Sequence, residues 1–374
     1  MILGLLRLSA QILHVGTHDE LLNMPQQTRI SNSSNSRRLP GVVIVLCCLA
    51  GTAFAESGAL LSPTNIFAPA STPANSIFEL SLFVLGITAI IFAIVFSLMV
   101  YVVVKFRKKA DDDGREPAQV YGSNQVEVAW TVIPILIVTV LFMATARVIA
   151  TVQKPPDNAV QVIAIGHQFW WEYRYPDLKV VTANELHVPV SDAVHPMPTL
   201  IKLTSADTDH SFWVPRLAGK TDLIPNRVNS MWIDPQEIGL YLGQCAQYCG
   251  TQHAKMLLRV YVQSRSDFDR WIQEQSQPAH SSDAVSDGRR VFESTACINC
   301  HAVGGTTAEG RFGPDLTHLM SRDTIASGVA ANTHENLRLW IRDPNAIKTG
   351  SLMPAMGLSE HDLDVVTAYL ETLR

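Results

Sequence analysis

At 374 residues the chain is long enough for two or three domains, and a single small domain is excluded. Its formal charge is −5, from 29 basic and 34 acidic residues, and charged residues make up 17% against 47% hydrophobic. That balance excludes a disordered chain and a general nucleic-acid binder. The apolar excess lies mostly before residue 151, where uncharged runs of membrane length occur, so the chain divides into a membrane part and a water-soluble part.

Arg37 and Arg38 precede an uncharged stretch over 39–50 and then Ala53, Phe54 and Ala55, the charged, apolar, small-residue order of a secretory signal with cleavage after Ala55. A first membrane helix is the weaker reading, because a run of about 12 residues falls short of the ~20 that span a bilayer. Initiation at Met24 would leave a signal of more usual length, and Cys47 and Cys48 would leave with it.

Residues 80–104 carry no charge over 25 positions, about 37 Å of helix against a hydrocarbon core of ~30 Å. The run ends in KFRKK at 105–109, four positive charges in five residues, which belong on the cytoplasmic side. A second uncharged run over 128–146, with Pro134 inside it, returns the chain, so everything after Arg147 is expected outside the cytoplasm.

From 159 to 262 the pattern changes to short β-rich runs at 160–165, 180–182, 200–204, 230–233 and 257–262, separated by Pro, Asn, Asp and Gly. This is the pattern of a β-sandwich. Inside it, residues 245–256 read CAQYCGTQHAKM, and His210 lies upstream in HSFWVP at 210–215. Two thiolates, two imidazoles and a thioether suit copper, and thiolates four apart in one loop can bridge two ions, with His253 and Met256 as terminal ligands. A structural zinc site or a plain disulfide would also satisfy the Cys and His residues. Met256, a poor zinc ligand, tilts the balance toward copper.

A short helix over 267–275 puts Phe268 and Trp271 on one face, and 277–285 is a polar linker. Nine such residues reach about 15–18 Å and hold the C-terminal part at roughly millimolar effective concentration beside the sandwich. The last 89 residues read as helices with long loops. GRRVF at 288–292 leads into CINCH at 297–301, a c-type haem attachment in which Cys297 and Cys300 add to the haem vinyl groups and His301 ligates iron. A zinc knuckle or redox disulfide would need partners that this segment lacks. A thioether or a second histidine would complete the iron, from Met320, Met353, Met356, His318, His334 and His361.

Residues 77–262 resemble cytochrome c oxidase subunit II: the helix hairpin, Glu127 with Trp130, Thr131 and Pro134, GHQFWW at 166–171, HSFWVP at 210–215, GKTD at 219–222 and the cysteine loop. The resemblance implies a cupredoxin-like sandwich holding a binuclear CuA copper centre. Its ligands would be the side chains of His210, Cys245, Cys249, His253 and Met256 and the main-chain carbonyl of Gln247. Gln247 departs from the family's glutamate, which also serves an interfacial magnesium, and a neutral amide is the weaker ligand for a hard cation. Phe169 replaces the tryptophan through which the family receives electrons, leaving that role to Trp170 or Trp171 or to a different entry route suited to a tethered donor. Glu127 resembles an acid at the mouth of a proton channel in subunit I.

The tail resembles class I cytochrome c domains, with GPDL at 313–316, LRLWIRDP at 337–344 and SLMPAM at 351–356. In that family the methionine directly before the proline ligates iron, here Met353, with Met356 in reserve. The expected architecture is therefore multidomain: signal and extension over 1–55, a two-helix transmembrane hairpin over 77–150, a cupredoxin-like CuA domain over 151–264, helix and linker over 265–285, and an all-α cytochrome c domain over 286–374.

Together the resemblances imply subunit II of a caa-type terminal oxidase in a bacterial inner membrane, with both metal domains on the periplasmic side. Electrons would pass from an external donor, cytochrome c or a cytochrome bc complex, through haem c and CuA to haem a and the haem–copper centre of subunit I. There oxygen is reduced to water and protons are pumped; subunit III is a further expected partner. Tethering would make a strong electrostatic docking patch less necessary, with Trp and Tyr on the sandwich forming a small transient interface. The alternatives are the electron-receiving subunit of a CuA-containing nitric oxide reductase and a metal-free subunit II of the quinol oxidase kind.

Overall fold

The computed structural model describes residues 64–374 apart from 109–113, 115, 117–118, 120, 193 and 280–282. The signal, Cys47 and Cys48 lie outside the described residues.

Helix α1 (Thr72–Lys105) begins with Pro73 in its first turn, where the missing N–H costs nothing. Helix α2 (Asn124–Gln153) carries Glu127 in its first turn, where a carboxylate complements the helix dipole, and holds Pro134 inside. Both helices extend beyond the uncharged runs, with about 51 and 45 Å of length. Large apolar side chains stand bare along them, Phe92 at 66% and Val103 at 67% exposure. Such faces are stable in hydrocarbon, and both helices are long and apolar enough to cross a membrane. The foot of α1 is tied to the soluble part. Ala70 N–H donates to the Arg216 carbonyl at 2.8 Å, Thr72 Oγ1 to Asp234 Oδ2 at 2.7 Å, and Asp234 N–H to Ser71 Oγ at 2.8 Å.

The sandwich has ten strands: β1 (Val160–His167), β2 (Trp170–Tyr175), β3 (Val180–Ala183), β4 (Glu185–Pro189), β5 (Thr199–Ser205), β6 (His210–Trp213), β7 (Thr221–Leu223), β8 (Asn229–Ile233), β9 (Gly239–Cys245) and β10 (Leu257–Gln263). One sheet runs β3-β2-β1-β5-β8 and the other β4-β10-β9-β6-β7. Strands β5 and β10 alternate buried and half-buried residues, as one-sided strands must. Their inward side chains, Ile201, Leu203, Leu258, Val260 and Val262, share a core with Trp171, Tyr173 and Phe212. Strand β2 is buried on both faces except at Arg174.

Helix α3 (Arg265–Gln275) is capped by Ser264, whose Oγ accepts from Asp267 N–H. It buries Phe268 and Trp271 against the sandwich. Trp271 stacks on His187 with ring centroids 4.2 Å apart, and Tyr261 covers the other side at 4.9 Å. Burial lowers the pKa of His187 to about 4, so the ring is a neutral part of the core at pH 7.

The C-terminal domain is built from α4 (Ser286–Ser294), α5 (Cys297–Cys300), α6 (His334–Arg342), α7 (Pro344–Ile347) and α8 (Glu360–Leu370), with one two-stranded ribbon, β11 (Thr324–Ile325) against β12 (Ala330–Ala331). Leu337, Ile341, Leu363, Val366, Tyr369 and Leu370 form its core with Phe292. Leu358 precedes α8 and packs on that core from outside the helix.

This domain is seated on the sandwich by polar groups, beside the expected Trp and Tyr side chains, Trp170 and Tyr261. Glu185, 1% exposed on β4, accepts from Asp323 N–H at 3.1 Å, Thr324 N–H at 3.0 Å and Thr324 Oγ1 at 2.6 Å. Burial pushes its carboxyl above the usual range despite these bonds. Tyr261 OH donates to Asp323 Oδ2 at 2.6 Å, and Gln275 Nε2 to Ser321 Oγ at 3.1 Å. Such bonds need partners on both faces, so they are a property of this pairing of domains.

Candidate metal centres

The first centre sits where β6 and β9 meet. Their pairing sets Phe212 opposite Cys245, which brings His210, at the head of β6, beside the end of β9. Gly166 on β1 makes room for the imidazole: a Cβ there would fall 2.7 Å from His210 Cδ2. The loop from Cys245 then folds back, closing with Cys245 N–H donating to the Met256 carbonyl at 3.0 Å.

The side-chain donors converge. Cys245 Sγ lies 3.9 Å from Cys249 Sγ and 4.0 Å from His210 Nδ1. Cys249 Sγ lies 3.8 Å from His253 Nδ1 and 3.9 Å from Met256 Sδ. The Gln247 carbonyl accepts from Cys245 Sγ at 3.1 Å, while the Gln247 side chain is on the exposed side of the loop. Among the described residues, His210, Cys245 and Cys249 form the group whose ligand atoms all lie within 4.8 Å of one another.

His210 is oriented from behind. Its Nε2 donates to Asp207 Oδ1 at 2.8 Å, which leaves Nδ1 facing the sulfurs. Burial works against the Asp207 carboxylate, but this bond and the N–H groups of Thr208 and Gln168 hold its pKa below the ordinary value. The two thiols influence each other: the neighbouring Cys249 is the largest influence lowering the Cys245 pKa, and Cys249 is raised in return. Two negative sulfurs this close are stable together only with cations between them. A buried, sulfur-rich set with imidazoles and a thioether fits copper. His167 is apart from it, bonded to Glu172 Oε2 at 3.0 Å and stacked on Trp170.

The second centre is a cavity of about 520 Å³ in the C-terminal domain, within the range of sites that enclose a cofactor. Cys297, Cys300, His301, Met353 and Met356 all line it, with apolar walls from Phe292, Leu316, Leu337, Ile341, Val366 and Leu370. The Pro314 carbonyl, which can only accept, lies 2.8 Å from His301 Nδ1 and so fixes the proton there, leaving Nε2 free as a ligand. Burial lowers the His301 pKa, which keeps the ring neutral. Gly313 is required beside it, because a Cβ would stand 2.6 Å from His301 Cε1. Cys297 and Cys300 are free thiols, and no disulfide occurs among the described residues. These residues fit a covalently attached haem with a histidine on iron. His318, buried, bonds the Gln277 carbonyl through Nε2 at 3.0 Å, and His334 bonds Glu371 Oε1 at 2.9 Å.

The two centres share a wall. Gln168, Phe169 and Trp170 of the sandwich line the cavity of the C-terminal domain. Gln168 Nε2 donates to the Cys249 carbonyl at 2.6 Å. The Phe169 ring packs on Gly250, 3.0 Å from where a Cβ would stand. Trp171, pointing the other way along β2, is fully buried and meets His210 edge-on with centroids 6.0 Å apart. Glu127 is exposed on α2 and touches neither centre. Sequence reasoning missed Asp207, Gln168, Pro314 and Lys348, whose Nζ reaches the Phe169 carbonyl at 2.7 Å. Asp207, three residues before His210, carried the one usable signal.

Comparison with known proteins gives three consecutive family matches. Residues 61–147 match the transmembrane domain of cytochrome c oxidase subunit II, 160–263 its periplasmic domain, and 285–374 cytochrome c. The chain is 35% identical over 317 residues to cytochrome c oxidase subunit 2 of Alkalihalophilus pseudofirmus, covering 82% of this chain and 90% of that one. It is 34% identical over 291 residues to the protein of the same name from Bacillus sp. strain PS3, covering 72% and 80%. Quinol oxidase subunit 2 of Bacillus spizizenii is 30% identical over 224 residues, covering 58% of this chain and 68% of that one.

Proposed function

This chain belongs to the cytochrome c oxidase subunit II family, and from that premise we propose that it receives electrons from an external donor at haem c and delivers them through CuA to subunit I of a caa-type oxidase. It is a membrane subunit of a haem–copper oxidase, with a copper domain and a cytochrome c domain, and subunit I is its partner. The finer assignments are our reading. His210, Cys245, Cys249, His253, Met256 and the Gln247 carbonyl hold two coppers. Cys297 and Cys300 carry one haem, with His301 and Met353 on its iron. When bound, each of the two groups takes up and releases one electron. The protein keeps His210, Cys245, Cys249 and Met256 buried, orients His210 through Asp207 and His301 through Pro314, and lines the cavity with apolar side chains.

The observation that carries this reading is the shared wall: Phe169 and Trp170 close the cavity, and Gln168 connects it to Cys249 by one hydrogen bond. Trp170 at the cavity and Trp171 against His210 are the residues assigned to carry the electron between the two groups. Two thiols aimed at each other inside a set of soft donors support a metal-bearing subunit over a metal-free one of the quinol oxidase kind. Both soluble domains are assigned to the periplasmic side, subunit III and a cytochrome c or bc-type donor to the assembly, and oxygen reduction with proton pumping to subunit I. Glu127 is assigned to a proton-channel mouth there. The exposed amide of Gln247 supports at most a weak magnesium site.

Rapid mixing of the purified oxidase with a reduced donor tests the order of stations. The haem c band should reduce first and the copper band after it, and Cys297→Ser with Cys300→Ser should slow copper reduction by at least ~100-fold. Copper reduction at an unchanged rate in that double variant would reject the proposed order.

A further inference from the structure

Residues 347–350, between α7 and the loop that carries Met353, are gripped by the opposite domain at every position. The Ile347 carbonyl accepts from Lys255 Nζ at 3.1 Å, and the Thr349 carbonyl accepts from Gln252 Nε2. Gly350 lies against Thr251, where a Cβ would come within 3.1 Å of its Oγ1. Thr251, Gln252 and Lys255 all belong to the loop between Cys249 and Met256. Between these contacts Lys348 turns inward, 3% exposed. Its Nζ donates to the Phe169 carbonyl at 2.7 Å across the interface and to the Ala326 carbonyl at 3.2 Å in its own domain. It also lines the haem cavity beside Phe169.

A lysine amine is expensive to bury away from a carboxylate, and here two carbonyl oxygens are its hydrogen-bond acceptors. Burial lowers its pKa to about 7, the direction that this cost dictates. Nothing in the haem domain's own fold requires one donor to serve carbonyls of two domains. We propose that Lys348 is a positioning residue for electron passage between the two centres: it clamps the mouth of the haem cavity onto Phe169 and the copper-ligand loop. The event it positions is one electron lost at one centre and gained at the other, with no atom or proton moved. Phe169 and Trp170 are thereby covered, and an external donor meets the haem domain instead of the copper domain. This role rests on the two-centre reading above.

Two measurements on the intact oxidase separate the clamp from that reading. Acetylation with an amine-reactive ester, followed by peptide mass spectrometry, reads docking without reference to either metal. Lys348 should react on the order of 100-fold more slowly than Lys220, whose side chain is 54% exposed. Equal reactivity would overturn the clamp even if both metals were present. Lys348→Met should then lower the haem-to-copper transfer rate about tenfold or more, while the haem c potential and the copper resonance stay as in the wild type. An unchanged rate overturns the positioning role. Loss of the low-spin haem spectrum in Lys348→Met would also overturn it, by assigning the lysine to the fold of the haem domain. Absence of the copper or haem signal in the wild type would sink the two-centre reading and leave the acetylation result standing on its own.

Discussion

Cys249→Ser removes the copper centre from the assembled oxidase and leaves the haem c spectrum intact. Cys249 is the hub of the donor set, with Cys245, His253 and Met256 all within 3.9 Å of its sulfur. A serine hydroxyl is harder and stays protonated at pH 7, so it cannot share charge between two ions as a thiolate does. The hydroxyl fits the same volume, so the sandwich around it stays packed. The Cys249 side chain does not line the haem cavity; its carbonyl faces that way, through Gln168. Copper content should fall below two per enzyme, donor oxidation should drop by ~100-fold or more, and the haem band should be unchanged. Retention of the shared-copper signal would remove Cys249 from the ligand set.

Met353→Ala turns haem c high-spin or lowers its potential, and Met356→Ala does neither. Both methionines are half-buried and line the cavity. The choice comes from sequence: Met353 directly precedes Pro354, the arrangement seen in class I cytochromes. A thioether favours the reduced iron, and axial ligands span ~0.8 V of potential, so its loss should cost on the order of 0.1–0.3 V. Redox titration of both variants decides it. A fall in potential with Met356→Ala alone would transfer the axial role to Met356.

Which strands were legible follows from what covers them. The runs that became β1, β3, β5, β8 and β10 are marked by β-branched or aromatic residues, and β5 and β10 have one face on the core. Strand β2 gave no alternation because both of its faces are covered; Trp170 meets the haem domain while Trp171 and Tyr173 meet the core. Strand β4 is hidden in the same way, since Glu185 and His187 are buried by neighbours from outside the sandwich. Strand β9 reads Gly-Leu-Tyr-Leu-Gly-Gln-Cys, with a glycine that lets Trp213 approach and no β-branched run.

The metal-ligating residue types stood out because cysteine, histidine and methionine at those spacings carry chemistry in themselves. Asp207, Gln168 and Lys348 carry none until the fold places them. A lysine near a proline-containing loop reads as surface, and only the seated domain buries Lys348 against Phe169. The polar interface through Glu185, Tyr261 and Gln252 was invisible for the same reason: each partner is more than sixty residues away in sequence.

The most direct measurement is electron paramagnetic resonance on the oxidised, purified oxidase containing this chain in full. The expected spectrum shows one unpaired electron shared over two copper nuclei together with a low-spin haem c. A haem signal beside a mononuclear copper, or beside no copper at all, would contradict it and reduce the chain to a membrane-anchored cytochrome c.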